Sequence, residues 1–254
     1  MIVNKSENHK EIVDSIENDV YAHLKPMGFR KHGRTIHRFV SGDISQVVGF
    51  QTALASSCLR GNLCVNIGIR IPECDERSFT INTEQKKFYH EYNCTMRSRL
   101  GKVSGNNETW FELKEENRQS IVGIILKELN EIVLPVFEVL NSREKILTCR
   151  RSYPLFDGLG SHLILLDECM IYGHLGNKEK AKELFEKYYQ SCLDEYNDEV
   201  KNGWKYYLRA GETIVHMGQH ITAEKDGFVT LYGAANHRHI DYLDELAKEL
   251  NLRT

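Results

Sequence analysis

The chain has 254 residues, of which 41% are hydrophobic, 27% charged and 9% aromatic, a composition typical of a globular protein. That excludes collagen-like and intrinsically disordered chains, and the longest apolar run, 132–140, is too short to span a bilayer and is broken by Pro135 and Glu138. The net charge of -3 predicts no strong non-specific attraction to nucleic acid or to an anionic membrane.

The average conceals an asymmetry. Residues 1–150 carry 21 basic and 19 acidic side chains, whereas residues 151–254 carry 12 and 17, giving +2 and -5. Cys58, Cys64, Cys74, Cys94, Cys149, Cys169 and Cys192 are odd in number, scattered, and form no C-x-x-C pair, so neither a disulfide framework nor a structural zinc site is expected. The polar segment Met1–Lys10 lacks the basic start and apolar stretch of a secretion signal. A cytoplasmic protein without a metal or other cofactor is the expectation.

In chain order, Ile12, Val13, Ile16, Val20 and Leu24 recur at helical spacing, with Ser6 as N-cap and Pro26 and Gly28 as the stop. Strands are expected over 34–40 and 44–53, joined in a hairpin by Ser41-Gly42-Asp43, and over 63–71, where Leu63, Val65, Ile67, Ile69 and Ile71 alternate strictly. Residues 88–103 and 109–113 read as two further strands around the turn Ser104-Gly105-Asn106-Asn107. A long helix over 115–141 follows, kinked or split at Pro135.

Beyond residue 141 helical patterns dominate, and Pro154 and Gly158-Leu159-Gly160 mark the change. The segments 163–172 and 178–196 read as a helical hairpin across Gly173-His174-Leu175-Gly176-Asn177, and two more helices are expected over about 199–216 and 229–250. The fold class is therefore α+β: an antiparallel sheet of about five strands covered by helices, domain 1–150, then an all-helical domain, 151–254, with tetratricopeptide-like hairpin packing.

The motifs Leu24-Lys25-Pro26-Met27-Gly28-Phe29, Phe50-Gln51, Val65-Asn66-Ile67-Gly68, Arg97-Ser98-Arg99-Leu100-Gly101 and Trp110-Phe111, in that order, resemble a bacterial family known as domain of unknown function 4304. The likeness covers about residues 8–141. It implies an α+β unit with an antiparallel sheet, and it brings no catalytic residues with it.

Side-chain parity places Asn66 and Arg70 opposite the aliphatic row, and Arg97 and Arg99 on one side of their own strand, with Gln51 able to join them. Arginine forks on a sheet suit phosphate or carboxylate recognition, although cross-strand pairs on a solvated face give the same pattern. Glu212, His216 and His220 would align on an unbroken helix as metal ligands, but Gly218 weakens that helix and no H-E-x-x-H occurs. Asp157-Gly158-Leu159-Gly160-Ser161 follows no clear strand, and Ser161 reads as an N-cap rather than part of a phosphate loop.

Eight tyrosines between Tyr172 and Tyr242, with Trp204, supply core rings and a candidate binding surface on the acidic part. No Walker A, dinucleotide or G-x-S-x-G motif is present. The leading expectation is a non-enzymatic interaction protein of immunity or antagonist type that binds a basic protein partner, with Gln51, Asn66, Arg70, Arg97, Arg99 and Trp204 as binding residues. The alternative is a small-molecule binder or enzyme taking an anionic ligand on the sheet face. Nucleic-acid and membrane partners are disfavoured.

Overall fold

A computed structural model describes residues 5–53, 61–77, 88–105, 110–156, 161–216, 218–232 and 237–252. Cys58, the Asn106-Asn107 half of the expected turn and the Gly158-Leu159-Gly160 loop lie outside the described residues, as do the side chains of Ser6 and Ser161. The chain divides into two compact units, Met1–Gly160 and Ser161–Thr254.

The first unit opens with helix α1, Lys5–Leu24, whose Ile12, Val13, Ile16, Val20 and Leu24 are all buried. A short 3-10 turn holding Pro26 follows and ends at Gly28, whose φ of +85° favours a residue without Cβ. The chain then runs through β1 (Arg30–His32), β2 (Thr35–Val40), β3 (Ile44–Thr52) and β4 (Asn62–Arg70). These pair antiparallel in sequence order, and β5 (Met96–Arg99) adds to β4 as the fifth strand. A two-residue β6, Phe111–Glu112, also pairs with β4, at Asn62 and Leu63. Where one long strand over 88–103 was expected, the structure has irregular chain at 88–90, a 3-10 turn at Glu91–Asn93, β5, and a helical turn α2, Leu100–Val103.

Residues directly opposite across an antiparallel pair share a face, so the register sorts the sheet into two sides. On one side lie Ile36, Val48, Ile67, Ile69 and Gln46. Two helices, α3 (Arg118–Glu128) and α4 (Leu134–Val139), follow β6, and α4 lies over this side. The Gln46 amide donates to the Phe137 carbonyl at 2.5 Å, and Arg38, opposite Gln46, donates to Glu138, which fixes α4 over the sheet. Arg118 donates to Ser15 and to Asp19 at 2.8 Å each, tying α3 to α1.

Between α3 and α4 the chain makes a π turn, Leu129–Val133, in which the Leu134 N–H reaches back to the Leu129 carbonyl. The wider turn stands directly before Pro135, where an α-helix would have required an N–H that proline lacks. A last short helix, α5, Arg143–Cys149, is capped by Ser142 and pinned by Arg143, which bonds the carboxylates of both Asp43 and Glu73 at 2.8–3.0 Å.

The second unit is mainly helical. Helices α6 (Ser161–His174) and α7 (Lys178–Asn202) pack as one hairpin, with Gly176 at φ +81° in the turn and Asn177 capping α7 through the Lys180 N–H. The expected helix over 199–216 stops at Asn202, because Gly203 leaves helical backbone at φ +72° and β-prone Trp204, Tyr206 and Tyr207 follow. Four short strands replace it: β7 (Trp204–Leu208), β8 (Thr213–His216), β9 (Gln219–Thr222) and β10 (Gly227–Leu231). The pair β8–β9 forms an inner hairpin between the paired β7 and β10. The final helix, α8, Arg238–Glu249, starts later than expected and buries Ile240, Leu243, Leu246 and Ala247.

Candidate functional site

The side of the sheet away from α4 is made by Thr35 and His37 of β2, Gly49 and Gln51 of β3, Asn66 and Gly68 of β4, and Arg97 and Arg99 of β5. The register sets Asn66 opposite Gly49 on one side and Arg99 on the other, and sets Gly68 opposite Arg97. Three strands thus bring Gln51, Asn66, Arg97 and Arg99 to one surface. The Asn66 amide donates to Gln51 Oε1 at 3.0 Å and to Glu91 Oε1 at 3.4 Å, so the two amides and a carboxylate form one connected group.

Glu91 comes from the 3-10 turn rather than from the sheet, and glycine makes room for it. A Cβ on Gly49 would stand 2.6 Å from Glu91 Oε2, and a Cβ on Gly68 would stand 2.6 Å from the Cβ and Sγ of Cys94. The segment 88–94 therefore lies directly on bare backbone of β3 and β4. In the order Phe88-Tyr89-His90-Glu91-Tyr92 alternate rings stack on one another. His32 lies against Phe88 at 3.5 Å between ring centroids, Phe88 meets His90 edge-on at 5.3 Å, and His90 stacks on Tyr92 at 4.9 Å. The intervening Tyr89 sits beneath the Arg70 guanidinium, 3.5 Å from its carbon. The ring of His90 is anchored by a 2.9 Å hydrogen bond between Nδ1 and Thr35 Oγ1; Thr35 is buried, so the pair positions a ring and presents no nucleophile.

These elements border an open cleft of about 1060 Å³. Among the described residues four permanent cations line it, Arg34, Arg97, Arg99 and Lys102, with the carboxylate of Glu91. Arg34 shares its charge with Glu17, 3.6 Å away, and donates to Thr52 at 2.9 Å. Arg99 lies 5.1 Å from the centre of the Trp110 ring, which supports the guanidinium. Residues 20–139 match the family model described as Domain of unknown function (DUF4304). The first unit carries a DUF4304 domain. No curated protein and no solved structure matches the chain.

The DUF4304 segment ends with the last residue of α4 and contains every residue named in the cleft. Of the residues expected from sequence, Gln51, Asn66, Arg97 and Arg99 line it. Arg70 shares their face by register, yet its guanidinium is bound to Asp75 and stacked on Tyr89, and it does not line the cleft. Trp204 belongs to the second unit, on β7, where it meets Tyr206 edge-on at 5.3 Å. Sequence reasoning missed Arg34, His90, Glu91, Tyr92 and Lys102. The alternation of rings at 88, 90 and 92 is the available signal for two of them, His90 and Tyr92, obscured by assigning the whole run to a strand.

Two buried thiols of the DUF4304 unit, Cys64 and Cys94, are chemically quiet. Burial pushes Cys64 up to about 11, an effect that Arg99 opposes and Glu91 reinforces, and burial raises Cys94 well above the ordinary thiol range. Neither is a thiolate at neutral pH. Outside the DUF4304 domain, the helical alignment of Glu212, His216 and His220 is overturned, because those residues fall on a turn and on two paired strands. His216 is bonded to the Tyr232 carbonyl at 2.8 Å. Among the described residues no group of three or more His, Cys, Asp or Glu side chains could hold a metal ion, and no helix is long and apolar enough to cross a membrane.

Proposed function

We propose that the DUF4304 unit binds a small anionic molecule, with a phosphate or carboxylate group, in the cleft on the open face of its sheet. The observation that carries this reading is the predominance, among the described lining residues, of Arg34, Arg97, Arg99 and Lys102 over the Glu91 carboxylate in a concavity of about 1060 Å³. A flat solvated face would offer cross-strand ion pairs; here a ligand can be surrounded on several sides and partly desolvated, where charge-assisted hydrogen bonds are strongest. Arg97 is exposed on β5, and arginine's planar fork matches phosphate and carboxylate oxygens in pairs.

The test is equilibrium binding of phosphate and carboxylate compounds by calorimetry. Replacing Arg97 and Arg99 together by Ala is expected to weaken binding at least about a hundredfold, taking charged hydrogen bonds at ~1.5–3 kcal/mol each. The melting temperature of the free protein should change little, since both side chains are exposed. Unchanged affinity in the double variant rejects the reading.

A second reading concerns the second unit and is favoured by a separate observation. Phe228 is 71% exposed and meets Tyr207 edge-on at 5.2 Å on one face of the β7–β10 pair, while Trp204 on the other face is 45% exposed. Aromatic side chains left in water on an acidic unit suit a docking surface for a basic protein, the arrangement an immunity or antagonist protein would use. Association there is expected to slow as salt rises and to weaken when Trp204 and Phe228 become Ala; an association rate indifferent to salt with intact affinity in that variant removes it.

A further inference from the structure

We infer that the anion taken by the cleft is a nucleotide, a phosphate joined to a sugar and a flat aromatic base, an inference that rests on the anion-binding reading above. The deciding feature is Tyr92. It lines the cleft yet is 60% exposed, with one face occupied by the His90 ring at an interplanar angle of 20°. His90 is itself held by Thr35, so the tyrosine stands on an anchored stack rather than on a free side chain. A ring backed on one face and open on the other is a platform for a further ring, and base stacking on such a platform accepts any base.

Beside the platform stand the other two parts that a nucleotide requires. Gln51 accepts from Asn66 through Oε1, which leaves its NH2 group to donate, and Glu91 offers carboxylate oxygens that can accept from sugar hydroxyls or an exocyclic amine. Arg97, Arg99 and Lys102 supply the charge for the phosphate. Inorganic phosphate or a short carboxylic acid would use only the cations and leave the ring, amides and carboxylate without a role. The volume of about 1060 Å³ is ample for a mononucleotide.

The experiment compares inorganic phosphate, ribose 5-phosphate and the four ribonucleoside 5′-monophosphates as calorimetric ligands of the full chain. At least one monophosphate is expected to bind about tenfold tighter than ribose 5-phosphate, from stacking alone. Tyr92→Ala should bring that monophosphate down to the affinity of ribose 5-phosphate while leaving ribose 5-phosphate unchanged, and Tyr92→Phe should keep the difference. Circular dichroism of both variants checks that the fold persists. Equal affinities for ribose 5-phosphate and every monophosphate, unaffected by Tyr92→Ala, overturn the nucleotide and leave the anion site standing. Absence of binding by all six compounds overturns the nucleotide, and affinity left unchanged by loss of Arg97 and Arg99 overturns the anion reading as well.

Discussion

Two glycines beneath the 88–94 segment look alike in sequence and differ in consequence. At Gly49 an added methyl would meet only the tip of the Glu91 side chain, which can swing aside. Gly49→Ala is therefore expected to leave stability within about 0.5 kcal/mol of the parent, as for a change that forces no backbone shift, while displacing Glu91 from its place beside Asn66. At Gly68 the methyl would meet the Cβ of Cys94, fixed to the backbone of the segment that carries Tyr92 and Glu91. Gly68→Ala is expected to cost about 1–3 kcal/mol by overpacking, and to loosen the cleft wall with it. Urea unfolding of both variants separates the two outcomes, and equal losses would mean that Glu91 is held more rigidly than its contacts suggest.

At the level of elements, the alternation Leu63, Val65, Ile67, Ile69 made β4 legible, because a strand buried on one side by helices must repeat every two residues. The same parity placed Asn66 on the opposite face with no knowledge of its neighbours. Cross-strand register was not legible: only the pairing of β3, β4 and β5 shows that Gln51 and Arg99 reach one surface and that Arg70, with the same parity, spends its charge on Asp75. The residues 199–231 misled for a physical reason. Tyr, Val, Ile and Thr spaced by threes and fours can fit either period, and the glycines at 203, 211 and 218, all at positive φ, decide the matter in favour of turns and strands.

Across the whole molecule, stability at mild acidity is set in part by His37. It is buried on the cleft side of β2, its Nδ1 makes no hydrogen bond among the described residues, and burial holds its pKa below the ordinary 6.5. The unfolded chain therefore takes up the proton first, and stability is lost as pH falls from about 6.5 through the lower folded value, by at most ~1.4 kcal/mol per pH unit. Glu17 acts in the opposite direction, since burial raises its carboxyl despite Lys31 and Arg34, so its penalty grows as pH climbs above the ordinary carboxylate value. Comparing His37→Phe with the parent by chemical denaturation from pH 7 to pH 5 isolates the first effect, and parallel curves would refute it.

The π turn before Pro135 bears on how the chain can change in length. A π turn holds one residue more than the α turn it replaces, so the helical faces before and after it stay aligned with the sheet despite the surplus. Losing one residue from 129–133, with Pro135 replaced by a residue that has an N–H, would close an ordinary helix and leave Ile125 and Phe137 where they are. Losing one from within α3 would instead turn everything upstream of it by about 100° relative to the remainder. Insertions and deletions among relatives of this helix therefore have a natural site, and it is the stretch where the backbone already carries a spare residue.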